Sequence, residues 1–207
     1  MHMRYDEYKL GVEFLRANAP IFAHMYEHLG YLEQRRRTAN FEAFVSTIVG
    51  QQLSGKAADT IYSRLCCILS NDVNPASISA IDIDELRSAG ISNAKARYIL
   101  LLAEKFLSKE ITIEDLEQSD DEALYKKLIG ITGIGPWSAR IIMLFNFCRL
   151  SAFPFGDTTL ERAYSKLTHK DLTSLESDVA TWQPYSGIVA MYLWSFNDKI
   201  GLDGSVA

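Results

Sequence analysis

The segment Leu128–Arg140, LIGITGIGPWSAR, constrains this chain more than any other stretch. Gly130, Gly133 and Gly135 fall within six positions, sit among aliphatic residues, and are followed at once by Pro136 and Trp137. Glycine supplies backbone conformations that other residues resist, and proline suits the first turn of a helix, where its missing N–H would have had no helical partner. The segment therefore predicts two helices joined by a tight turn, the second starting at Pro136 and running through Ile141, Ile142, Leu144 and Phe145. A helix N-terminus leaves amide N–H groups without intrahelical acceptors and carries partial positive charge. Glycines there let another molecule approach the backbone, and phosphate is a natural occupant. On the other side of the turn, helix-end carbonyls can converge on a cation. A bare G-x-G turn, however, is more often a plain hinge between helices.

Helical spacing dominates elsewhere. Phe41, Phe44, Val45, Ile48 and Val49 recur at intervals of three and four, and Ala57, Ala58, Ile61 and Leu65 do so after QQLSG. Asp82 and Asp84 open a short helix that Gly90 closes. Asn93 is expected to cap the next helix, with Ala96, Ile99, Leu100, Ala103 and Leu107 on its apolar side. Ser119 with Glu122, and Thr158 with Glu161, have the spacing of a capping box. Pro184 starts the last strong helix, YSGIVAMYLWSF, and Leu10, Phe14 and Leu15 share a face near the N-terminus. Alternating stretches such as Ile111–Ile113 are too few to build a sheet, so the prediction is an all-α protein of about ten helices. The stretch AGISNAKARYI (Ala89–Ile99) echoes the opening segment as a second helix, glycine turn, helix unit. No Pro/Ser-rich linker divides the chain, so any two lobes must be intimately packed.

Composition bounds the function. With 207 residues, 48% of them hydrophobic, the chain can bury a substantial core. The mean hydropathy of −0.03 and the lack of a long uncharged apolar run exclude a membrane span. The N-terminal stretch MHMRYDEYKLGVEF has no apolar signal region, so the expected setting is intracellular and reducing: cytoplasm or nucleoid, or the nucleus in a eukaryote. Cys66 and Cys67 are adjacent, Cys148 is the third cysteine, and there is no C-x-x-C pair. Histidine is too sparse to complete a zinc site with them, and the four thiolates of an iron–sulfur cluster are not available, so free thiols are expected. A net charge of −5 is not that of a general nucleic-acid coat protein, though it leaves room for a local backbone-amide site. Arg35, Arg36 and Arg37 form the single basic run, read as a solvated helix end.

The extended pattern is more specific than a G-x-G turn. LIGITGIGPWSAR resembles the helix-hairpin-helix of the HhH-GPD superfamily of DNA glycosylases. Three further stretches carry the same resemblance: IVGQQLSGKAA at Ile48–Ala58, AFPFGDTTLERA, with Asp157 lying 22 positions after Gly135, and WQPYSG-x-x-A-x-x-L-W at Trp182–Trp194. Together they cover roughly residues 38 to 198 and are similar to the 3-methyladenine DNA glycosylase II (alkylpurine) branch. The resemblance implies a two-lobed helical fold: lobe A 1–41 plus 136–207, lobe B 42–135, the helix-hairpin-helix at about 122–147, and the hairpin and Asp157 at the mouth of a cleft. It implies that the backbone of Gly133, Ile134, Gly135 and Ser138 holds a DNA phosphate, and that the carbonyls of Ile129, Ile131 and Gly133 hold a monovalent cation. No cofactor is required. The expected partner is double-stranded DNA containing damaged bases, bound by a monomer.

The chemistry can be taken residue by residue. Breaking an N-glycosidic bond builds positive charge on the deoxyribose, which a nearby carboxylate can stabilise while it directs water. Asp157 is the one carboxylate in its loop. By itself it reads equally well as the N-cap of the following helix, although a Thr158–Glu161 capping box would leave it outside that helix. The resemblance assigns it the catalytic role. Superfamily members with lyase activity carry a GxGxK lysine that forms a Schiff base with the sugar. Trp137 stands at that position here, which implies a monofunctional hydrolase with water as nucleophile; Lys126 and Lys127, across the turn, are poor substitutes. A flipped, cationic base favours electron-rich aromatic faces. Trp137 and Trp194 match the family's pocket tryptophans, Phe153 and Phe155 border the Asp157 loop, and Tyr62 and Tyr185 are further candidates. Core packing is the alternative for each, least so for Trp137, which follows a turn.

In the family a residue of the loop corresponding to Gln51–Ser54 fills the gap left by the flipped base. Gln52 and Leu53 are the candidates for this wedge, Ser54 being more simply a helix N-cap. Lys56 and Lys95 are either phosphate contacts or solvated lysines. Two other functions compete. A glycosylase for oxidised or deaminated purines is disfavoured by the missing turn lysine and cysteine quartet. A non-catalytic helix-hairpin-helix DNA-binding protein is disfavoured by Asp157 in its FPFGD setting, and a blander alternative, a plain all-α interaction domain, is told apart by gel-shift with duplex DNA.

Overall fold

Apolar residues at three- and four-residue intervals set the architecture. A computed structural model of the protein describes residues 5–33 and 37–199, and Arg35 and Arg36 of the basic run lie outside them. The described residues contain no strand. Their α-helices, in chain order, are α1 (Tyr5–Asn18), α2 (Pro20–Leu29), α3 (Phe41–Gly50), α4 (Gly55–Ile68), α5 (Pro75–Ser79), α6 (Ile83–Ser88), α7 (Asn93–Leu107), α8 (Ile113–Gln118), α9 (Asp121–Ile129), α10 (Pro136–Phe145), α11 (Thr158–Thr168), α12 (Leu175–Thr181) and α13 (Ser186–Lys199). None is long and apolar enough to cross a membrane.

The chain forms two compact units: residues 37–147, and the terminal segments 1–36 with 148–207. In the first, α3 is central. Phe41, Phe44, Val45, Ile48 and Val49 are all buried along it, and Asn40 caps it by accepting the Ala43 N–H at 2.9 Å. It packs against α4, α7 and α10, and α10 packs in turn against α9. The expected lobe boundary at residue 136 is therefore displaced: α10 stays with residues 37–147, because Ala139, Ile142 and Leu144 are fully buried and the two hairpin helices pack as a pair. On α7, Ala96, Ile99 and Ala103 are buried as expected, but Leu102 completes the face and Leu107 is 51% exposed.

In the other unit, α1, α2, α11 and α13 pack together around Leu15, Phe22, Tyr164, Ile188 and Tyr192. Of the face expected on the N-terminal helix, Leu15 is buried and Phe14 packs partly buried against the core, but Tyr8 and Val12 complete it and Leu10 is 64% exposed.

Several caps fall one residue from their expected places. Ser92 rather than Asn93 caps α7, and Asp120 rather than Ser119 caps α9. Each cap is the extended residue whose side-chain oxygen reaches the amide three positions on, and S-x-x-E spacing fixes that register only to within a residue.

One polar cluster braces the terminal unit. The Tyr164 hydroxyl donates to Asp178 at 2.7 Å, and Lys170 pairs with the same carboxylate at 2.6 Å. Burial alone would raise the Asp178 pKa, but the bonds from Lys170 and Tyr164 outweigh it and hold the carboxyl below its usual range. A depressed carboxyl contributes stability above its unfolded pKa and loses it as pH falls through the folded one. Asp178→Asn should therefore cost about 1 kcal/mol at neutral pH, discounted for the exposed lysine. In urea melts across a pH series, that gap should close below roughly pH 4.

Candidate functional site

The hairpin forms as expected. Between α9 and α10 the chain turns sharply, with the Ile134 N–H donating to the Ile131 carbonyl at 3.0 Å. Gly133 occupies the third position of this turn at φ +92°, a conformation that needs glycine. Its hydrogen faces Tyr98 on α7: a Cβ there would lie 2.5 Å from the ring. Gly135 is the N-cap of α10 at an ordinary φ of −88°, and a Cβ on it would meet nothing within 4 Å. No side chain caps this helix, and Ala139 is the residue whose N–H closes its first turn, on the Gly135 carbonyl at 2.9 Å. The space beside Gly135 is open and the helix start has no side-chain cap, the arrangement that suits an anion.

Not every hairpin residue predicted to hold phosphate is placed to do so. Ile134 is buried and its N–H is used inside the turn, whereas the Ser138 bond, accepted from Gln51 at 3.0 Å, falls on its side-chain hydroxyl and not on its backbone N–H. Of the carbonyls named for a monovalent cation, that of Ile131 accepts the Ile134 N–H and that of Gly133 accepts the Gln51 side-chain amide at 2.7 Å, which leaves each a second lone pair. Among the described residues no group of three or more His, Cys, Asp or Glu side chains could hold a metal ion.

Around the hairpin, the end of α3 leads into the predicted wedge. Gln52 is exposed and left-handed, at φ +56°, and Leu53 is 39% exposed. Ser54 caps α4 through the Ala57 N–H, as expected. Lys95 is neither a phosphate contact nor a solvated lysine: its ammonium donates to the carbonyls of Val49 and Gln51 at 2.8 and 2.7 Å. Lys56 is exposed. Trp137 is half-buried at the start of α10. The Tyr62 hydroxyl donates to Glu42 at 2.9 Å, which ties α4 to the first turn of α3, and burial together with that bond pushes its pKa well above the usual phenol range.

In the terminal unit, Asp157 is itself the N-cap of α11. Its Oδ1 accepts the N–H groups of Thr159 and Leu160, each at 3.0 Å. The expected Thr158–Glu161 box is displaced, and Glu161 instead accepts the Gly156 N–H at 3.1 Å. The half-buried Trp194 donates its indole N–H to the same oxygen at 3.3 Å. A carboxylate and a large aromatic are therefore held side by side. Phe153 is not part of such a surface: it is buried in the core, its ring centroid 5.0 Å from Phe155 and 6.0 Å from Trp182. Tyr185 packs against Phe14.

Sequence reasoning missed Gln51 and misjudged Lys95. The signal for the first was an amide side chain directly after the largely buried helix α3. For the second there was none, because its partners lie 44 and 46 residues away.

Comparison with known proteins adds four findings. A family model described as HhH-GPD superfamily base excision DNA repair protein matches residues 45–180. The alkylbase DNA glycosidase-like protein mag2 of Schizosaccharomyces pombe is 29% identical over 164 residues, 75% of this chain and 77% of that one. Among solved structures, a DNA-3-methyladenine glycosidase from Bacillus halodurans is 28% identical and covers 94% of both chains at a TM-score of 0.81. The Schizosaccharomyces pombe 3-methyladenine DNA glycosylase Mag1, in complex with abasic DNA, shares the fold at a TM-score of 0.83 and 23% identity over 91% of this chain and 97% of its own.

The two turn glycines should behave differently. Gly133→Ala combines a left-handed φ with a clash on Tyr98 and should cost about 2–4 kcal/mol. Gly135→Ala should cost less than about 1 kcal/mol. Urea midpoints of the two variants check this, and equal losses would contradict it.

Proposed function

The chain belongs to the HhH-GPD superfamily of base excision DNA repair proteins, and within it we propose a monofunctional DNA glycosylase that removes alkylated purines of the 3-methyladenine type from duplex DNA. The observation that carries this reading is the Asp157 carboxylate, fixed by two backbone amides and touched by the Trp194 indole. The N-glycosidic bond of a flipped nucleotide breaks with its electron pair leaving on the base. A purine alkylated at N3 is already cationic, so it departs neutral and needs no strong general acid. Positive charge gathers on the sugar, where the fixed Asp157 charge opposes it without reorganisation. Water adds at C1′ and loses a proton to solvent, leaving an abasic site.

An aromatic face such as that of Trp137 attracts a cationic base by up to about 2 kcal/mol once desolvated. The first-turn amides of α10, beside Gly135, hold a backbone phosphate. No lysine follows the turn glycines to trap the sugar as a Schiff base, so the strand remains intact after base release.

One observation favours a second reading. Asp157 is fully accounted for as a helix cap, which a non-catalytic DNA-binding relative would retain equally. Asparagine caps helices as well as aspartate does. Asp157→Asn should therefore keep the fold and the melting temperature within a few degrees, while release of 3-methyladenine from methylated duplex DNA falls roughly 10²- to 10³-fold. The wild-type product should break only after added alkali. Equal release by both proteins would remove Asp157 from the mechanism, and wild-type binding without any release would establish the non-catalytic reading.

Trp137→Ala should slow release of cationic bases up to about 30-fold, and release of neutral ones far less. Comparison of 3-methyladenine with hypoxanthine duplexes checks this, and a uniform loss would assign Trp137 to packing.

A further inference from the structure

Residue 51 is held from two directions. Its carbonyl, with that of Val49, accepts the Lys95 ammonium from α7, and its side-chain amide donates to the Gly133 carbonyl and the Ser138 hydroxyl of the hairpin. A lysine at this place is apt: the C-terminal end of a helix carries partial negative charge and open carbonyls, and a cation donating to two of them binds through charge-assisted hydrogen bonds. Burial lowers the Lys95 pKa, in keeping with an ammonium drawn out of solvent into the protein. The next residue, Gln52, leaves the clamp in a left-handed conformation that its own side chain does not favour, and its side chain is exposed.

We propose that Lys95 and Gln51 are positioning residues that register the DNA-inserting loop, with Gln52 at its tip, against the phosphate-holding hairpin. This rests on the glycosylase reading. Base flipping leaves a gap in the stack at a fixed distance along the strand from the phosphate that is gripped. A wedge on a loose loop would reach that gap only some of the time. Here one side chain, Gln51, bonds directly to the turn that grips, and Lys95 locks the backbone from which the wedge projects. Neither residue touches DNA; both set where Gln52 stands. Small displacements of a positioned group are enough to cost large factors in rate.

The test separates opening the stack from everything else. Lys95→Met keeps the aliphatic stem and removes the donors; Gln51→Met removes the hairpin tie alone and serves if the first variant folds poorly. Single-turnover release of 3-methyladenine is measured from duplex and from single-stranded DNA of the same sequence. The expected result is a roughly 10- to 100-fold loss on duplex with a change of less than about twofold on single strands, where no stack must be held open. Equal losses on both substrates, or no loss on either, overturn the proposal. If the wild type releases no base from either substrate, the glycosylase reading fails by itself. The clamp is then judged by the fluorescence of 2-aminopurine beside an abasic site. It should rise when wild type binds and rise less with Lys95→Met, and an equal rise overturns the clamp.

Discussion

The hairpin turn rests on the ring of Tyr98 so closely that only a hydrogen atom fits between them. That contact demands glycine at 133, and it seats the turn on α7. From there the other placements follow. The Gly133 carbonyl meets the Gln51 amide, α7 carries Lys95 to the end of α3, and α10 leaves the turn at Gly135 with no side-chain cap. One tight backbone approach thus joins the two loops to which the proposed function gives the phosphate contact and the wedge.

Asp157 illustrates a similar economy. Its cap bonds order α11 and simultaneously fix its carboxylate in one orientation. A group that develops no new orientation during the reaction stabilises charge without a reorganisation cost, which is the usual source of large electrostatic effects in enzymes. Under the proposed mechanism the structural and chemical duties of this residue reinforce each other rather than compete.

Much of this was legible in the sequence. The all-α class, the turn at Gly133, the start of α10 at Pro136, the Ser54 cap and the buried face of α3 all follow from local rules of spacing and backbone freedom. Errors cluster where those rules are loose. Caps slipped by one residue because Ser, Asp and Asn stand side by side at several helix starts and any of them can serve. Phe153 was placed in a pocket because proximity to Asp157 in the chain does not reveal which way a ring points. The boundary near residue 136 was misplaced because a hairpin reads as a natural joint, whereas its helices pack as one piece.

By itself, the sequence determined the helices, the glycine turn, the absence of a turn lysine and the one carboxylate of the FPFGD loop, because each depends on residues within a turn or two of one another. Only the tertiary structure decided what those parts touch. Gln51 finds its acceptors 82 and 87 residues away, and Trp194 finds Asp157 across 37. Such bonds are selected by three-dimensional packing, which brings donors and acceptors together without any periodic trace in the chain.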